Sequence, residues 1–446
     1  MECFPTFVTL EVATIYVLCL FQARHPTNGE LPTRTLRLVH IVYRHGDRSA
    51  MRGYPLDPIK EYNWSQGYGQ LTKLGMDQEY RLGQSVRDLY IKKLDFLSTY
   101  YNRSKVLVRS TDTDRTLMSA YCVLAGLYPS QNITQAWNNT WQPIPVHTLP
   151  LNQDYLLSSH ATCPLLEYLH QEFISKNQQL KDLIKQKQWL IQHVATHTGL
   201  PPTIDGLFEV QDPLFCENQH NMINTTSGWL AVNRTFLDIM ALRDLPNSLL
   251  YPTPQMARLR SGVLLSEIVS NMKAKIRKSL DRDLVLYSAH DDTIVGLLSA
   301  LKYFRYPDFP AVQPQYSTSI AIELHENGPS NFVVNVYLRN ETNSPNLQLY
   351  PVPIQGCKDS CSFSNFTSLL SDMMVTDIKT ECQLEKPRSR KSQTPDNIPR
   401  GDSFMGVAIL GALTGLFLVI LVGAYWIYCK QKNNTTYQLI PLTEEP

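Results

Sequence analysis

The sequence predicts an α/β fold: a central sheet flanked by helices, with a smaller, mainly helical cap domain. Three observations carry this expectation. Three separate segments share one grammar, an apolar strand, then a polar motif, then a helix. The stretch from 150 to about 270 is rich in helical patterning and punctuated by prolines, with no strong strand pattern. At 446 residues, the chain is also long enough to bury a sizeable core.

The first segment is Leu36-Arg37-Leu38-Val39-His40-Ile41-Val42-Tyr43, followed by Arg44-His45-Gly46-Asp47-Arg48-Ser49. Gly46 is expected to let the backbone turn tightly between the flanking charges. Leu71 to Lys93 reads as an amphipathic helix, with Leu74, Leu82, Val86 and Leu89 at approximate helical spacing. The second segment runs Lys105-Val106-Leu107-Val108, Arg109-Ser110-Thr111-Asp112, then a helix from Asp114. The third runs Leu284-Val285-Leu286-Tyr287-Ser288, Ala289-His290-Asp291-Asp292, then a helix from Thr293. Ser319–Leu324 and Phe332–Leu338 read as hairpin strands around Glu326-Asn327-Gly328-Pro329. Open α/β sheets bind ligands at the carboxyl ends of their strands. If the three strands are neighbours, their motifs meet at one site.

The chain ends predict topology. Val8–Phe21 is apolar and reads as a secretory signal within residues 1–30, although it lacks a basic start. Residues 31–385 form the expected lumenal or extracellular domain, and 386–403 a polar, proline-containing linker. Residues 404–429 run without a charge, enough at 1.5 Å per residue to span a bilayer of about 30 Å. Residues 430–446 are the expected cytoplasmic tail. Arg388, Arg390, Lys391 and Arg400 before the span would by themselves favour the opposite orientation, but an N-terminal signal overrides them. The sequons at Asn63, Asn102, Asn132, Asn138, Asn224, Asn233, Asn340 and Asn365 all precede the span and agree with a lumen-facing domain. Six cysteines remain between signal and span: Cys122, Cys163, Cys216, Cys357, Cys361 and Cys382. An even count in an oxidising compartment suggests disulfides. Cys357 and Cys361 are close enough to close a small loop; spacing does not pair the others.

A net charge of +1 with 18% charged residues argues against nucleic acid as a partner. The motifs instead suit a phosphate monoester. Arg44, Arg48 and Arg109 offer fixed positive charge and forked donors for phosphate oxygens. His45 is the expected nucleophile, attacking phosphorus to form a phosphohistidine. His290 is a fourth phosphate donor, and Asp291 the acid that protonates the departing alkoxide. Neighbouring arginines should keep His45 neutral in acid, and Asp291 should need a proton, so an acid working range is expected. Cys382 to Arg388 has the C-x5-R spacing of cysteine phosphatases but no glycine-rich loop. His193 and His197 have the spacing of a zinc pair, but no glutamate accompanies them, and they read as an ordinary helix face.

These motifs carry a resemblance. Arg44 to Arg48, Val108 to Ala120 and Tyr287 to Asp291 resemble the histidine acid phosphatases, closest to the animal lysosomal and prostatic enzymes; Gly67 to Thr72 and Trp141 to His147 fit the same group. The resemblance covers about residues 36 to 385. It implies a histidine-phosphatase-type α/β sandwich with a helical cap, commonly a homodimer, and no metal or other cofactor. By match, His45 is the nucleophile, Asp291 the proton donor, and Arg44, Arg48, Arg109 and His290 the phosphate ligands. It further suggests the pairs Cys163–Cys382 and Cys357–Cys361, leaving Cys122 and Cys216 unassigned. The chain departs from the pattern at Ala50, where proline is usual, at Asp292, where threonine is usual, and at Leu207, which takes the place of a pocket tryptophan. The family partner of Cys216, near Ser319, is missing. The single span and short tail resemble the lysosomal member. Tyr437-Gln438-Leu439-Ile440 has the form of a sorting signal, implying a clathrin adaptor as partner and a lysosomal, endosomal or cell-surface location.

Overall fold

The computed structural model describes residues 35–129, 142–304, 313–340, 348–358 and 360–384, all within a compact unit that ends at Leu384. The signal, Asn132, Asn138, the linker, the apolar 404–429 run and the tail with Tyr437 and Ile440 lie outside the described residues. Among the described residues, no helix is long and apolar enough to cross a membrane.

The central sheet is mixed. Its strands are β1 (Leu36–Arg44), β2 (Val106–Ser110), β3 (Leu284–Ala289), β4 (Ser319–Glu326), β5 (Phe332–Arg339), β6 (Tyr350–Pro351) and β7 (Cys361–Ser362). The order is β2-β3-β1-β4-β5-β6, with β7 also paired to β5. β3 pairs in parallel with both β1 and β2, while β4 runs antiparallel to β1. The register places Arg44 opposite Ala289 and Ser110 opposite Ser288. The three polar motifs therefore leave the sheet side by side, as the strand grammar predicts. The hairpin between β4 and β5 is also as expected, with Gly328 at φ +133° in the turn.

Both faces of the sheet are covered, so β1 is buried almost throughout. Leu38 and Val42 face one core, built with Leu264, Leu265 and Ile268. Val39, Ile41 and Tyr43 face the other, with Leu82, Val86 and Val123. This alternation is the period of two of a pleated strand.

The helices are α1 (Lys73–Val86), α2 (Asp114–Leu127), α3 (Pro164–Lys176), α4 (Gln178–Gln186), α5 (Gln188–Thr198), α6 (Ile204–Gln219), α7 (Gly228–Ala231), α8 (Thr235–Ala241), α9 (Leu245–Leu250), α10 (Pro254–Ile276), α11 (Asp291–Ala300), α12 (Phe363–Leu369) and α13 (Ile378–Glu381). Two expectations need correction. The helix expected over 71–93 starts at Lys73, capped by Thr72, and continues after Val86 as a π-helical stretch, Arg87–Lys93. Leu82 and Val86 of the expected apolar row are buried, but Leu74 is 41% exposed. Gly75, Gln78, Glu79 and Gly83 complete the inward face. A Cβ on Gly83 would stand 2.0 Å from the Val123 carbonyl oxygen, so glycine permits the close packing of α1 on α2. The second correction concerns the cap. It has its own core, including Leu190, Val194, Leu207, Val210, Leu214 and Ile239. It does not extend to 270, because α10 packs its Leu264, Leu265, Ile268 and Met272 into the core of the sheet.

Candidate active site

Strand ends deliver the key side chains. Arg44 closes β1, and the His45 N–H donates to the Ala289 carbonyl (3.0 Å), prolonging the strand pairing by one step. Gly46 follows, but it is not held by a positive φ. A Cβ there would lie 2.3 Å from the Gly75 carbonyl oxygen, so the requirement is space against the start of α1. This corrects the expectation of a glycine-dependent turn.

His45 is almost wholly buried. Its Nδ1 lies 2.8 Å from the Gly46 carbonyl oxygen. A carbonyl only accepts, so Nδ1 carries the proton and Nε2 keeps its lone pair. Burial, then Arg44, Arg115, His290 and Arg48, hold the imidazole well below its usual range. The His45 and His290 rings meet edge to face at 5.5 Å between centroids. His290 Nε2 is 2.9 Å from Thr111 Oγ1, and Arg115 approaches its Nδ1 at 3.4 Å. Burial lowers the His290 pKa to about 4, with Arg115 adding to this and Asp292 and Asp291 opposing it. His290 precedes α11 but makes no side-chain capping bond.

The arginines differ in how freely they are held. Arg44 lies with its Cζ 4.3 Å from the Tyr316 ring centroid and its Nη2 3.2 Å from Asp291 Oδ2. Arg48 is clamped by Asp212 through two contacts, 2.7 and 3.2 Å. Arg109 is loosest, with Asp154 at 3.7 Å rather than Asp112 or Asp114. Arg44 Nε, Arg109 Nε and Nη2, and Arg115 Nε are buried donors without hydrogen-bond partners. Unpaired buried donors are costly. An anion of several oxygens placed here would satisfy them.

Asp291 accepts from Gln313 Nε2 and from the Asp292 N–H (3.0 Å). Burial raises its pKa, but Arg44, the Gln313 bond, His290 and Arg48 outweigh this and hold the carboxyl below its usual range. These neighbours therefore keep Asp291 ionised, so the proton that its expected role needs has to be supplied to it. Asp292 turns toward Arg260 (3.8 Å) and accepts from Thr293 Oγ1, so its extra charge is countered locally.

The cavity over Arg44, Arg48 and Asp291 measures about 200 Å³ and is walled by Phe208, Phe215, Arg243 and Tyr316. Leu207 is not in this wall; it is buried in the cap core, one residue from Phe208. Among the described residues, no group of three or more metal-ligating side chains is present. Arg115, Tyr316, Asp212, Gln313 and Arg243 were not singled out as site residues from the sequence. Only Arg115 had a signal there, as a basic residue in the first turn after the Arg109 motif.

A family model described as histidine phosphatase superfamily (branch 2) matches residues 35–339. The chain belongs to this superfamily. Lysosomal acid phosphatase of Xenopus laevis is 37% identical, over 98% of this chain and 95% of that protein. Prostatic acid phosphatase of Bos taurus is 38% identical, over 80% and 90%. The phytase of Citrobacter braakii shares the fold, with a TM-score of 0.59 at 19% identity, over 78% of this chain and 99% of that one. As a member of this superfamily the chain is a phosphoric monoester hydrolase of the acid phosphatase kind.

The remaining singled-out residues of this branch 2 member can also be placed. Disulfides join Cys163 to Cys382 and Cys357 to Cys361. Cys216 is a buried free thiol 3.9 Å from Tyr316 Oη and 3.8 Å from Arg48; Cys122 is also free. Ala50 is buried, and its carbonyl accepts from the Gly69 N–H (2.7 Å). Asn63, Asn102, Asn224, Asn233 and Asn365 are exposed, whereas Asn340 is half-buried and accepts from Thr318 Oγ1 (2.7 Å). His193 Nε2 donates to the Trp229 carbonyl (3.1 Å) and His197 Nδ1 to the His193 carbonyl (2.9 Å), so each ring has one nitrogen committed to backbone. A carbonyl acceptor makes both nitrogens N–H donors.

The cap helix α6 also carries a proton-dependent tie. Glu217 and Asp57 are both buried, and burial, then Asp57, push the Glu217 carboxyl up to about 8. The folded pKa thus exceeds the unfolded value of about 4.5. The associated stability is fully present below about 4.5 and is lost as pH rises through about 8. Glu217→Gln imitates the protonated form. Its Tm should match wild type near pH 5 and exceed it by about 2–4 °C at pH 8. Parallel Tm profiles across this range would refute the shared proton.

Proposed function

We propose that this chain is a lumen-facing, membrane-anchored acid phosphomonoesterase that works through a phosphohistidine on His45. The observation that carries the reading is the buried, neutral His45, its Nε2 lone pair uncommitted, in the field of Arg44, Arg115 and Arg48, with buried arginine nitrogens at Arg44, Arg109 and Arg115 still lacking an acceptor. Arg44, Arg48, Arg109 and His290 bind the phosphoryl oxygens and spread the transition-state charge. His45 Nε2 attacks phosphorus in line, and the P–O bond to the alcohol breaks. Asp291 passes a proton to the departing oxygen, then takes one from the water that hydrolyses the phosphohistidine.

The ionised Asp291 shapes the pH dependence. The substrate phosphoryl group has a second pKa of about 6, so in acid it arrives carrying a proton. Its negative charge offsets Arg44, which is the main force holding Asp291 ionised. Asp291 can then accept the substrate's proton and deliver it to the leaving oxygen. Activity therefore falls as the substrate becomes a dianion, while His45 remains unprotonated well into the acid range.

The lysosomal names of relatives, the sequons and the apolar run before the tail support a type I membrane protein of lysosomes, endosomes or the cell surface. Its Cys163–Cys382 and Cys357–Cys361 bonds suit that compartment. Homodimerisation and recognition of Tyr437 and Ile440 by a clathrin adaptor complete the reading. A second reading, a weakened binding protein on the same scaffold, draws on the Asp212 clamp of Arg48. The full-length chain, purified in detergent from secretory-competent cells, separates them. Hydrolysis of an aryl phosphate, strongest near pH 5 and declining above about 6, supports the enzyme. Binding of vanadate without turnover at any pH would favour the second reading.

A further inference from the structure

We propose that the cavity selects phosphomonoesters whose alcohol portion carries a second anionic group, and that Arg243 recognises that group. The proposal rests on the phosphomonoesterase reading above and adds the substrate class.

Arg243 lies between α8 and α9 and lines the same cavity as Arg44, Arg48 and Asp291. The other two arginines of this wall each have a carboxylate, Arg44 with Asp291 at 3.2 Å and Arg48 with Asp212 at 2.7 Å. Among the described residues, Arg243 has no carboxylate within ion-pair distance. The neighbouring Asp244 is committed elsewhere, accepting from the Gln313 N–H at 2.7 Å. The wall thus holds a cation in excess of its carboxylates.

Its geometry suits recognition. The Arg243 guanidinium lies 3.5 Å from the Phe215 ring centroid, so its plane is fixed by stacking before any ligand arrives. A pre-ordered fork loses little freedom on binding an anion. Half-buried among aromatic side chains, it is also partly stripped of water, which strengthens a charge-assisted bond. An uncharged alcohol portion leaves this donor set unused. A carboxylate or second phosphate engages it while the scissile phosphoryl group sits on Arg44 and Arg109. A cavity of about 200 Å³ restricts the spacer to a compact one.

The test uses the full-length chain at pH 5.5 with 3- and 4-carboxyphenyl phosphate, each beside its uncharged carboxamide. For at least one isomer the acid should exceed the amide about tenfold in kcat/KM, the low end of what a charge-assisted bond supplies. Arg243→Gln should bring that ratio to about one, and Arg243→Lys should retain part of it. Equal rates for acid and amide in the wild-type protein would overturn the proposal without any variant being needed. So would a ratio that survives Arg243→Gln. Hydrolysis of neither ester would instead overturn the underlying phosphomonoesterase reading, and the selectivity with it.

Discussion

Replacing His45 with alanine lowers kcat by at least about 10⁴-fold, the scale seen when a covalent nucleophile is removed. The expectation follows from position rather than residue type. Nδ1 is committed to the Gly46 carbonyl, so Nε2 is the available lone pair, and burial, then the arginines, keep it unprotonated in acid. No other side chain inherits this role: His290 has Thr111 on Nε2 and Arg115 near Nδ1. Vanadate binding should persist in the variant, because Arg44, Arg48 and Arg109 remain. Stability supplies an internal control. The folded pKa of His45 is depressed, so below about 6.5 the unfolded chain takes up a proton that the folded chain refuses. That cost grows as pH falls, and alanine removes it. The Tm of His45→Ala relative to wild type should therefore improve from pH 7 to pH 5. A variant that loses activity only because it unfolds in acid would show the opposite trend.

Asp291→Asn produces the second large effect, and its size depends on the leaving group. With an alkyl phosphate the rate should fall about 10²–10³-fold, within the range for loss of a general acid. With 4-nitrophenyl phosphate the loss in the first step should be below about tenfold, since nitrophenolate departs readily without a proton. Dephosphorylation also uses Asp291, so the variant should release a burst of nitrophenolate and then slow. Asparagine retains an oxygen for Gln313 and Arg44, so the site's geometry is largely kept. Equal losses for both substrates would show that Asp291 acts on the arginines rather than on the leaving oxygen.

The sequence exposed the part of this site that is written locally. Arg44, His45, Arg109, His290 and Asp291 each stand directly after an apolar run, and parallel pairing with matched register brings them together. The remainder depends on contacts between distant segments. Asp212 and Arg243 come from the cap, and Tyr316 and Gln313 from the approach to β4, so no local pattern ties them to His45. The buried face of α1 is only half legible, at Leu82 and Val86, because glycines and polar residues fill the rest of it and apolar spacing finds only hydrophobic positions. The edge of the cap is not legible locally because α10 is helical like its neighbours, and only its packing ties it to the sheet. Asp291 shows the same limit in chemistry: its residue type suits a general acid, whereas its ion pair with Arg44, which no local pattern reveals, favours the ionised form.

The most direct test of the central claim is covalent trapping. The full-length chain is mixed with ³²P-labelled aryl phosphate at pH 5 and quenched in alkali, where phosphohistidine survives, and the label is located by peptide mapping. The account predicts label on the peptide containing His45, lost on acid treatment, absent from His45→Ala and enriched in Asp291→Asn. Label on another residue, or steady turnover by His45→Ala at the wild-type rate, would contradict it.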